Sequence, residues 1–447
     1  MELPMILPRQ VEYVIMRIMD SGGQAYLVGG ALRDLMLGRT VEDYDIASSL
    51  SPDTIEELFK DYKTYPTGKR FGTITVVIDD LPMEITTFRG EDSYSDGRHP
   101  DKVTFVSDIE TDLSRRDFTI NSMAYNPYLR SDLSDPLQDR YGMAYNPYFS
   151  FNIIDPYQGR DDLINGIIRT VRVASERFQE DPLRMMRGIR FAAQLDFQLA
   201  KDTIDAIILY HPLLEKISAE RIRDEFSKLL VSPNPHKGLF LFQSTGILKM
   251  IFKADELESP NTLSDKQLNI IKDCSLSIDY RLAVLLYFLF PKYEKDAAKT
   301  MLKDLRYDKA TIAHVIKILN GYTIFISMEA NLYNMRRLLG MVGLNDIYQL
   351  LNCYHTTFRI LEDKIMEKKY TTTSLMLKKI LENKDPVYFN ELAITGDDVL
   401  RVGIGTSDKK LVGDALDAAY EWILQKPEMN DYGSLISKLL REYNIGI

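Results

Sequence analysis

The chain has 447 residues, 45% of them hydrophobic, two cysteines and a formal net charge of −10. That length and apolar content suit about three globular domains, and Cys274 and Cys353, lacking any partner spacing, support neither a disulfide framework nor a thiolate metal site and fit a reducing cytoplasm. The acidic balance argues against a protein that coats nucleic acid, yet arginines cluster in RRD at 115–117 and RMMRGIR at 184–190, so a local basic site within an acidic body is expected.

The start, MELPMILPRQ, carries an acid, two prolines and no long apolar run. The longest such run, LAVLLYFLF at 282–290, is too short to span a bilayer, and a soluble cytoplasmic protein with no membrane partner is expected.

From about residue 24 to 125 the pattern is mixed α and β. AYLVGG reads as a strand, ALRDLML as a helix, and DYDIA, TITVVI and MEITTF as strands, before a polar stretch leads to KVTFV. In LVGGALRD the strand runs through Gly29 and Gly30 into a helix, which lets backbone amides approach a phosphate, and Arg33 stands one turn in, placed to hold a triphosphate. A glycine pair between strand and helix also serves as a plain tight turn.

VEDYDIASSL supplies Asp43 and Asp45, two carboxylates projecting from one face if both lie in a strand. Like charges that close call for a cation between them, and hard Mg2+ favours carboxylate oxygens. Glu84, in LPMEITTF, is a third carboxylate that a neighbouring strand would bring alongside. Three carboxylates around two Mg2+ ions match the layout for in-line phosphoryl transfer; a solvated acidic turn and a strand-edge glutamate are the plain alternatives.

MAYNPYLRSDLSDPLQDRYG (123–142) is followed at once by MAYNPYFSFNIIDPYQGRDD (143–162), with ten of twenty positions identical. Two copies are too few for a solenoid, so a tandem duplication enlarging a loop is expected, with residues 129–148 as a surface excursion. After about 165, PLRMMRGIRFAAQL, ERIRDEFSKLL and YRLAVLLYFLF have helical spacing and no strand alternation follows, with SPNPHKG and LENKDP as joints.

Taken together, GG-x-x-RD, D-x-D-I-A, MEITTFRGEDSYSDGRHPDKVTF, DLSRRDFTIN, DPYQGRDDLINGIIRTV, ERFQEDPLRMMRGIRFAAQLDF and SAERIRDEFSKLL resemble the class II tRNA nucleotidyltransferases, which add CCA to tRNA 3′ ends and are related to poly(A) polymerases. The resemblance covers about half the chain in order; farther on, only ITGDDVLRVGIG is similar to the family's tail. It implies an α+β nucleotidyltransferase head, a small mixed sheet with helices (1–165), followed by all-α neck (166–230), body (231–385) and tail (386–447), the neck recognising the base and the tail binding tRNA. It makes Asp43 and Asp45 the metal ligands with Glu84 the third carboxylate, places Gly29, Gly30 and Arg33 at the triphosphate, and gives Arg115, Arg116 and Asp117 the ribose and its 2′-hydroxyl.

EDPLRMMRGIR spaces Asp181, Arg184, Arg187 and Arg190 every three residues along one helical stripe. Cytosine and adenine each present an amine beside a ring-nitrogen acceptor; a carboxylate accepting from the amine and a guanidinium donating to the ring nitrogen accept C and A and reject U and G. The resemblance assigns Asp181 and Arg184 that templating role, with Arg187 and Arg190 nearby on base or phosphate. Asp181 before Pro182 is also a good helix N-cap, and the two roles compete for one carboxylate.

The first repeat copy departs from the family pattern, carrying Asp139 where the second has Gly159, so DPYQGRDDL is read as the working motif. No His-Asp dipeptide occurs among the five histidines, against an appended phosphohydrolase. The implied activity is template-independent, Mg2+-dependent addition or repair of CCA on tRNA from CTP and ATP. An enzyme adding only A, only CC or poly(A), and a non-catalytic RNA-binding relative, remain alternatives. FRGEDSYSDGRHPDKVTF, similar to the family loop that accompanies the switch from C to A, argues against CC-only addition.

Overall fold

TITVVI forms β4 of a seven-stranded sheet, with Ile74, Val76 and Ile78 buried inward and Thr73, Thr75 and Val77 half-buried on the other face. The computed structural model describes residues 7–90, 104–128, 153–252, 262–290, 295–406 and 408–444. The expected 129–148 excursion, and most of the FRGEDSYSDGRHPDKVTF stretch, lie outside the described residues. Two units divide the chain, Met1–Ile251 and Phe252–Ile447.

The first unit runs α1 (Arg9–Asp20), β1 (Ala25–Val28), α2 (Gly29–Met36), β2 (Tyr44–Ser48), α3 (Pro52–Leu58), β3 (Lys63–Tyr65), β4 (Thr73–Ile78), β5 (Leu81–Thr87), α4 (Ile109–Ser114), β6 (Ala124–Tyr125) and β7 (Ile153–Ile154). It continues with α5 (Gly159–Asn165), β8 (Ile167–Ile168), α6 (Ala174–Glu180), α7 (Leu183–Leu195), β9 (Gln198–Leu199), α8 (Lys201–Tyr210), α9 (Ala219–Leu230), α10 (Pro235–Ser244) and α11 (Ile247–Ile251).

The large sheet has the order β3-β4-β5-β2-β1-β6-β7, with β2 and β5 parallel and the other neighbours antiparallel. Asp79 and Asp80, at φ 47° and 62°, make the two-residue turn that joins β4 to β5. Val28, Ala47, Phe88, Leu113 and Ala124 form a buried cluster, in which Ala47 shares the face of β2 that carries Asp45.

β6 comes from the first MAYNP copy and pairs with β7 from the second. The DPYQG motif of the second copy then has a visible purpose. Asp155 accepts from the amides of Gly159 (2.7 Å) and Arg160 (2.9 Å), and a Cβ on Gly159 would sit 2.2 Å from the Thr119 carbonyl oxygen. An aspartate, as in the first copy, has no room there.

The all-helical expectation for the rest holds except that β8 and β9 pair in parallel; two-residue strands are too short to show alternation. SPNPHKG spans the turn after α9 and the first turn of α10, where a Cβ on Gly238 would meet the Leu229 side chain of α9 at 2.6 Å, so this joint is packed into the first unit.

In the second unit, α12 (Asp265–Cys274), α13 (Ile278–Leu289), α14 (Lys295–Asp304), α15 (Lys309–Ser327), α16 (Leu332–Val342), α17 (Leu344–Leu361), α18 (Lys364–Asn383), α19 (Gly396–Arg401), α20 (Lys410–Gln425) and α21 (Tyr432–Glu442) follow one another. By length and composition α15, at 19 residues, suffices to cross a membrane, a feature the shorter 282–290 run does not foreshadow; it buries Val315, Ile318, Leu319, Tyr322 and Phe325 in this unit. Both cysteines are buried free thiols, and Cys353 Sγ donates to the Cys274 carbonyl at 3.1 Å. His314 on α15 contacts Asp279 of α13 at 2.5 Å and Asp346 of α17 at 3.1 Å, and Asp346 also takes Tyr280 Oη (2.9 Å) and Lys317.

Candidate active site

The site is built where β1 turns into α2. Gly29 opens that helix at φ +67°, a conformation that disfavours a Cβ, and a Cβ there would lie 3.2 Å from Asp45 Oδ2 and 3.3 Å from Arg116 Nη1. Backbone, carboxylate and guanidinium therefore meet at a cradle that a side chain would fill.

The parallel register of β2 and β5 sets Asp45 beside Glu84, as the sequence pattern requires. Asp43 departs from expectation: β2 begins at Tyr44, and Asp43 is exposed just before it. The next pairing partner on β5 would be Pro82, which has no N–H to extend the ladder. Glu84 is likewise exposed rather than buried between its apolar neighbours. Burial pushes the Asp45 carboxyl up, Arg116 opposes, and Glu84 and Asp43 add to the rise, bringing it to about 6 from 3.8.

Among the described residues no three His, Cys, Asp or Glu side chains converge as a ready metal cluster. The donor set nonetheless suits a hard divalent cation: all oxygen, with one carboxylate whose pKa burial foremost, and then its acidic neighbours, hold unfavourably high.

RRD is divided between structure and site. Asp112, buried one turn earlier on α4, takes Arg115 Nη2 at 2.6 Å and Arg116 Nη2 at 2.9 Å. Burial raises its pKa, but the two guanidiniums outweigh that and bring it to about 2. Asp117 accepts from Arg187 Nε (2.8 Å), the Phe118 amide (2.9 Å) and Asn121 (3.3 Å); burial again opposes, and Arg187 foremost brings it to about 2. Asn121 also accepts from Arg33 Nη1 at 2.8 Å, while Arg33 forks onto Asp34 at 3.0 and 2.8 Å. Three of five Arg33 donors are thus occupied and two remain for a ligand.

The proposed template residues do not pair with one another. Asp181 gives one oxygen to the Leu183 amide (3.1 Å) and the other to Arg221 (2.9 Å), so capping and a second role share the carboxylate rather than compete for it. The helix itself starts at Leu183 after Pro182. Arg184 instead pairs with Glu180 at 2.7 Å and donates to the Arg115 and Arg177 carbonyls at 3.2 and 3.3 Å. Arg187 joins Asp117, and Arg190 joins Glu225 at 2.6 Å. Unlike Arg184 and Arg187, Arg190 does not line the cavity described next.

A cavity of about 470 Å³, within the ordinary range for small-ligand sites, is lined by Gly29, Gly30, Arg33, Asp45, Arg115, Arg116, Asp117, Asn121, Asp181, Leu183, Arg184, Arg187, Phe191 and Arg221. Six arginines against three aspartates give its lining an excess of positive charge, which favours an anionic ligand. Asp112, Asn121, Glu180, Phe191, Arg221 and Glu225 escape the sequence reading; Arg221 and Glu225 lie in SAERIRDEFSKLL, where an Arg and a Glu four apart on an otherwise amphipathic helix are the available signal.

Residues 25–169 match the family described as Poly A polymerase head domain, and 196–257 match the probable RNA and SrmB-binding site of polymerase A. The CCA-adding enzyme of Enterococcus faecalis is 45% identical over 232 residues, 52% of this chain, and that of Ligilactobacillus salivarius 44% over 266 residues, 58% of this chain. The matched stretches span only 51% and 60% of those two enzymes. The CCA-adding enzyme of Staphylococcus epidermidis is 33% identical over 400 residues, covering 88% of this chain and 87% of its own. The crystal structure of the Bacillus stearothermophilus CCA-adding enzyme in complex with CTP is similar at a TM-score of 0.71 and 29% identity, over 98% of both chains. With that full-length likeness joined to a glycine cradle, paired strand carboxylates and an arginine-lined cavity, the chain belongs to the family of CCA-adding enzymes.

Proposed function

We propose that the protein adds or repairs the 3′-terminal CCA of tRNA without a nucleic-acid template, using CTP and ATP and releasing pyrophosphate, in the cytoplasm. The observation that carries this reading is Asp45, paired in register with Glu84, lining the arginine-rich cavity. Similarity to a CTP-bound relative supports the choice of nucleotide.

In this reading Gly29, Gly30 and Arg33 hold the triphosphate, and Arg115 and Arg116 line its path. Asp117, with Asn121, orients Arg187 against the ribose side. Asp43 and Asp45, with Glu84 the third carboxylate, would hold two Mg2+ ions, which would lower the pKa of the attacking tRNA 3′-hydroxyl and neutralise the leaving pyrophosphate. Asp181 and Arg184 read the amine and ring nitrogen of C or A once both turn from Arg221 and Glu180 toward the base; Arg190 acts behind them through Glu225. Residues 1–165 form the head, 166–230 the neck, 231–385 the body and 386–447 the tRNA-binding tail, whose own core includes Val399, Ala419 and Leu435.

Incubating the protein with Mg2+, a tRNA lacking CCA and each labelled nucleoside triphosphate in turn tests the reading. Incorporation of C and A, and not U or G, is expected; incorporation of none of the four overturns it.

A further inference from the structure

Three guanidiniums converge on one buried aromatic ring. The Cζ atoms of Arg190, Arg33 and Arg187 lie 4.2, 5.2 and 5.5 Å from the centroid of Phe191, a cavity-lining residue only 5% exposed. Arg33 comes from α2, on the phosphate side, whereas Arg187 and Arg190 belong to α7 with Phe191 itself. Like charges at this density repel, and the negative face of an aromatic ring attracts each of them without needing a further carboxylate.

The ring cannot swing freely. It packs edge-on against fully buried Phe118 at 5.7 Å and 83°; Phe118 follows Asp117, whose carboxylate holds Arg187, and Arg187 lies against Phe191 again. The circuit is closed, and Arg33, which also lines the cavity, enters it from α2.

We infer that Phe191 is a positioning residue that joins the phosphate-binding and base-reading halves of the site, holding Arg33 and Arg187 in mutual register so that a seated triphosphate places its base against α7. This rests on the nucleotide site proposed above. Its chemistry is a π face presented to three cations, so shape alone does not replace it.

The test is equilibrium affinity for CTP and ATP, with melting temperature measured alongside, for wild type, Phe191→Leu, and proteins carrying mono-, di- or trifluorophenylalanine at 191. Fluorination weakens the π face while nearly preserving volume. Affinity is expected to fall stepwise with fluorine number and by about 5- to 30-fold in Phe191→Leu, with the melting temperature of the fluorinated set unchanged. In an Arg33→Gln background the fluorine series should flatten. A flat series in the wild-type background, a series equally steep with and without Arg33, or a wild type that binds neither nucleotide overturns the inference. A wild type that incorporates nothing into tRNA yet shows the stepwise loss of binding sinks the polymerisation reading and leaves this one standing.

Discussion

Asp45→Asn should stabilise the protein when no metal is present. The carboxyl sits at about 6 against 3.8, and the interval corresponds to about 3 kcal/mol at ~1.36 kcal/mol per pH unit. Because the folded pKa is the higher one, the native state gains relative stability when Asp45 is protonated and loses it as pH rises through about 6. Asparagine keeps the shape and removes the charge. Water reaching the cavity screens part of the effect, so a gain of about 1–2 kcal/mol at pH 8 in EDTA is expected, or roughly 2–6 °C for a unit of this size. About half should remain near pH 5, and little near pH 4. Calorimetry of both proteins across that range, with and without added Mg2+, is the assay. Added Mg2+ should raise the melting temperature of the parent and not of the variant. A variant no more stable than the parent at pH 8, or equally favoured at pH 4 and pH 8, would refute the reasoning that Asp45 carries unrelieved negative charge.

Other outcomes follow from the same geometry. Gly29→Ala adds a methyl beside Asp45 and Arg116 at positive φ; about 1–2 kcal/mol of lost stability and near-complete loss of nucleotide incorporation are expected, checked by melting and single-turnover assays. Arg221→Gln frees one Asp181 oxygen, and the ratio of C and A to U and G incorporation should change at an unchanged melting temperature; parental ratios would return Asp181 to a purely capping role. His314 is raised above 6.5, where burial opposes and its bonds to Asp279 and Asp346 prevail, with Tyr280 and Lys317 also on Asp346. Its stabilisation is therefore complete below pH 6.5 and lost as pH rises through the higher folded value, so His314→Gln should lower unfolding midpoints at about pH 6 much more than at about pH 9. Deleting 129–148 leaves the β6–β7 pairing and the Gly159 contact in place, and a folded protein with a near-parental melting temperature is expected.

Much of the site was legible because its chemistry is local. Gly29–Gly30, Asp45 and Glu84 announce themselves by type and spacing, and the register of β2 on β5 brings them where the pattern requires. Asp43 was misplaced on the strand because Pro82, 39 residues away, ends the ladder that would have included it. The partners of the arginines on α7 were not legible for a different reason. Arg184 chooses Glu180 rather than Asp181, and Asp181 chooses Arg221, because the chain turns at Pro182 and directs Asp181 toward α9, a packing decision invisible to helical spacing. Phe191 reads in sequence as one more apolar position of an amphipathic helix, and only the approach of Arg33 from α2 gives it another character.

The parallel pairing of β2 with β5 imposes a parity rule on the stretch between them. Side chains alternate with period two, so a slip of one residue in β5 would carry Glu84 to the opposite face of the sheet and leave Asp45 without its neighbour. β5 is also locked to β4 through six residue pairs, from Thr73 with Thr86 to Ile78 with Leu81, so the hairpin moves only as a block. Changes of length are thus tolerable in the turns on either side of α3, outside the paired strands, where they leave that register unaltered. Within Thr73–Thr87 a single inserted or deleted residue acts as a frameshift in space, leaving a folded sheet whose acidic pair has been separated by one turn of the pleat.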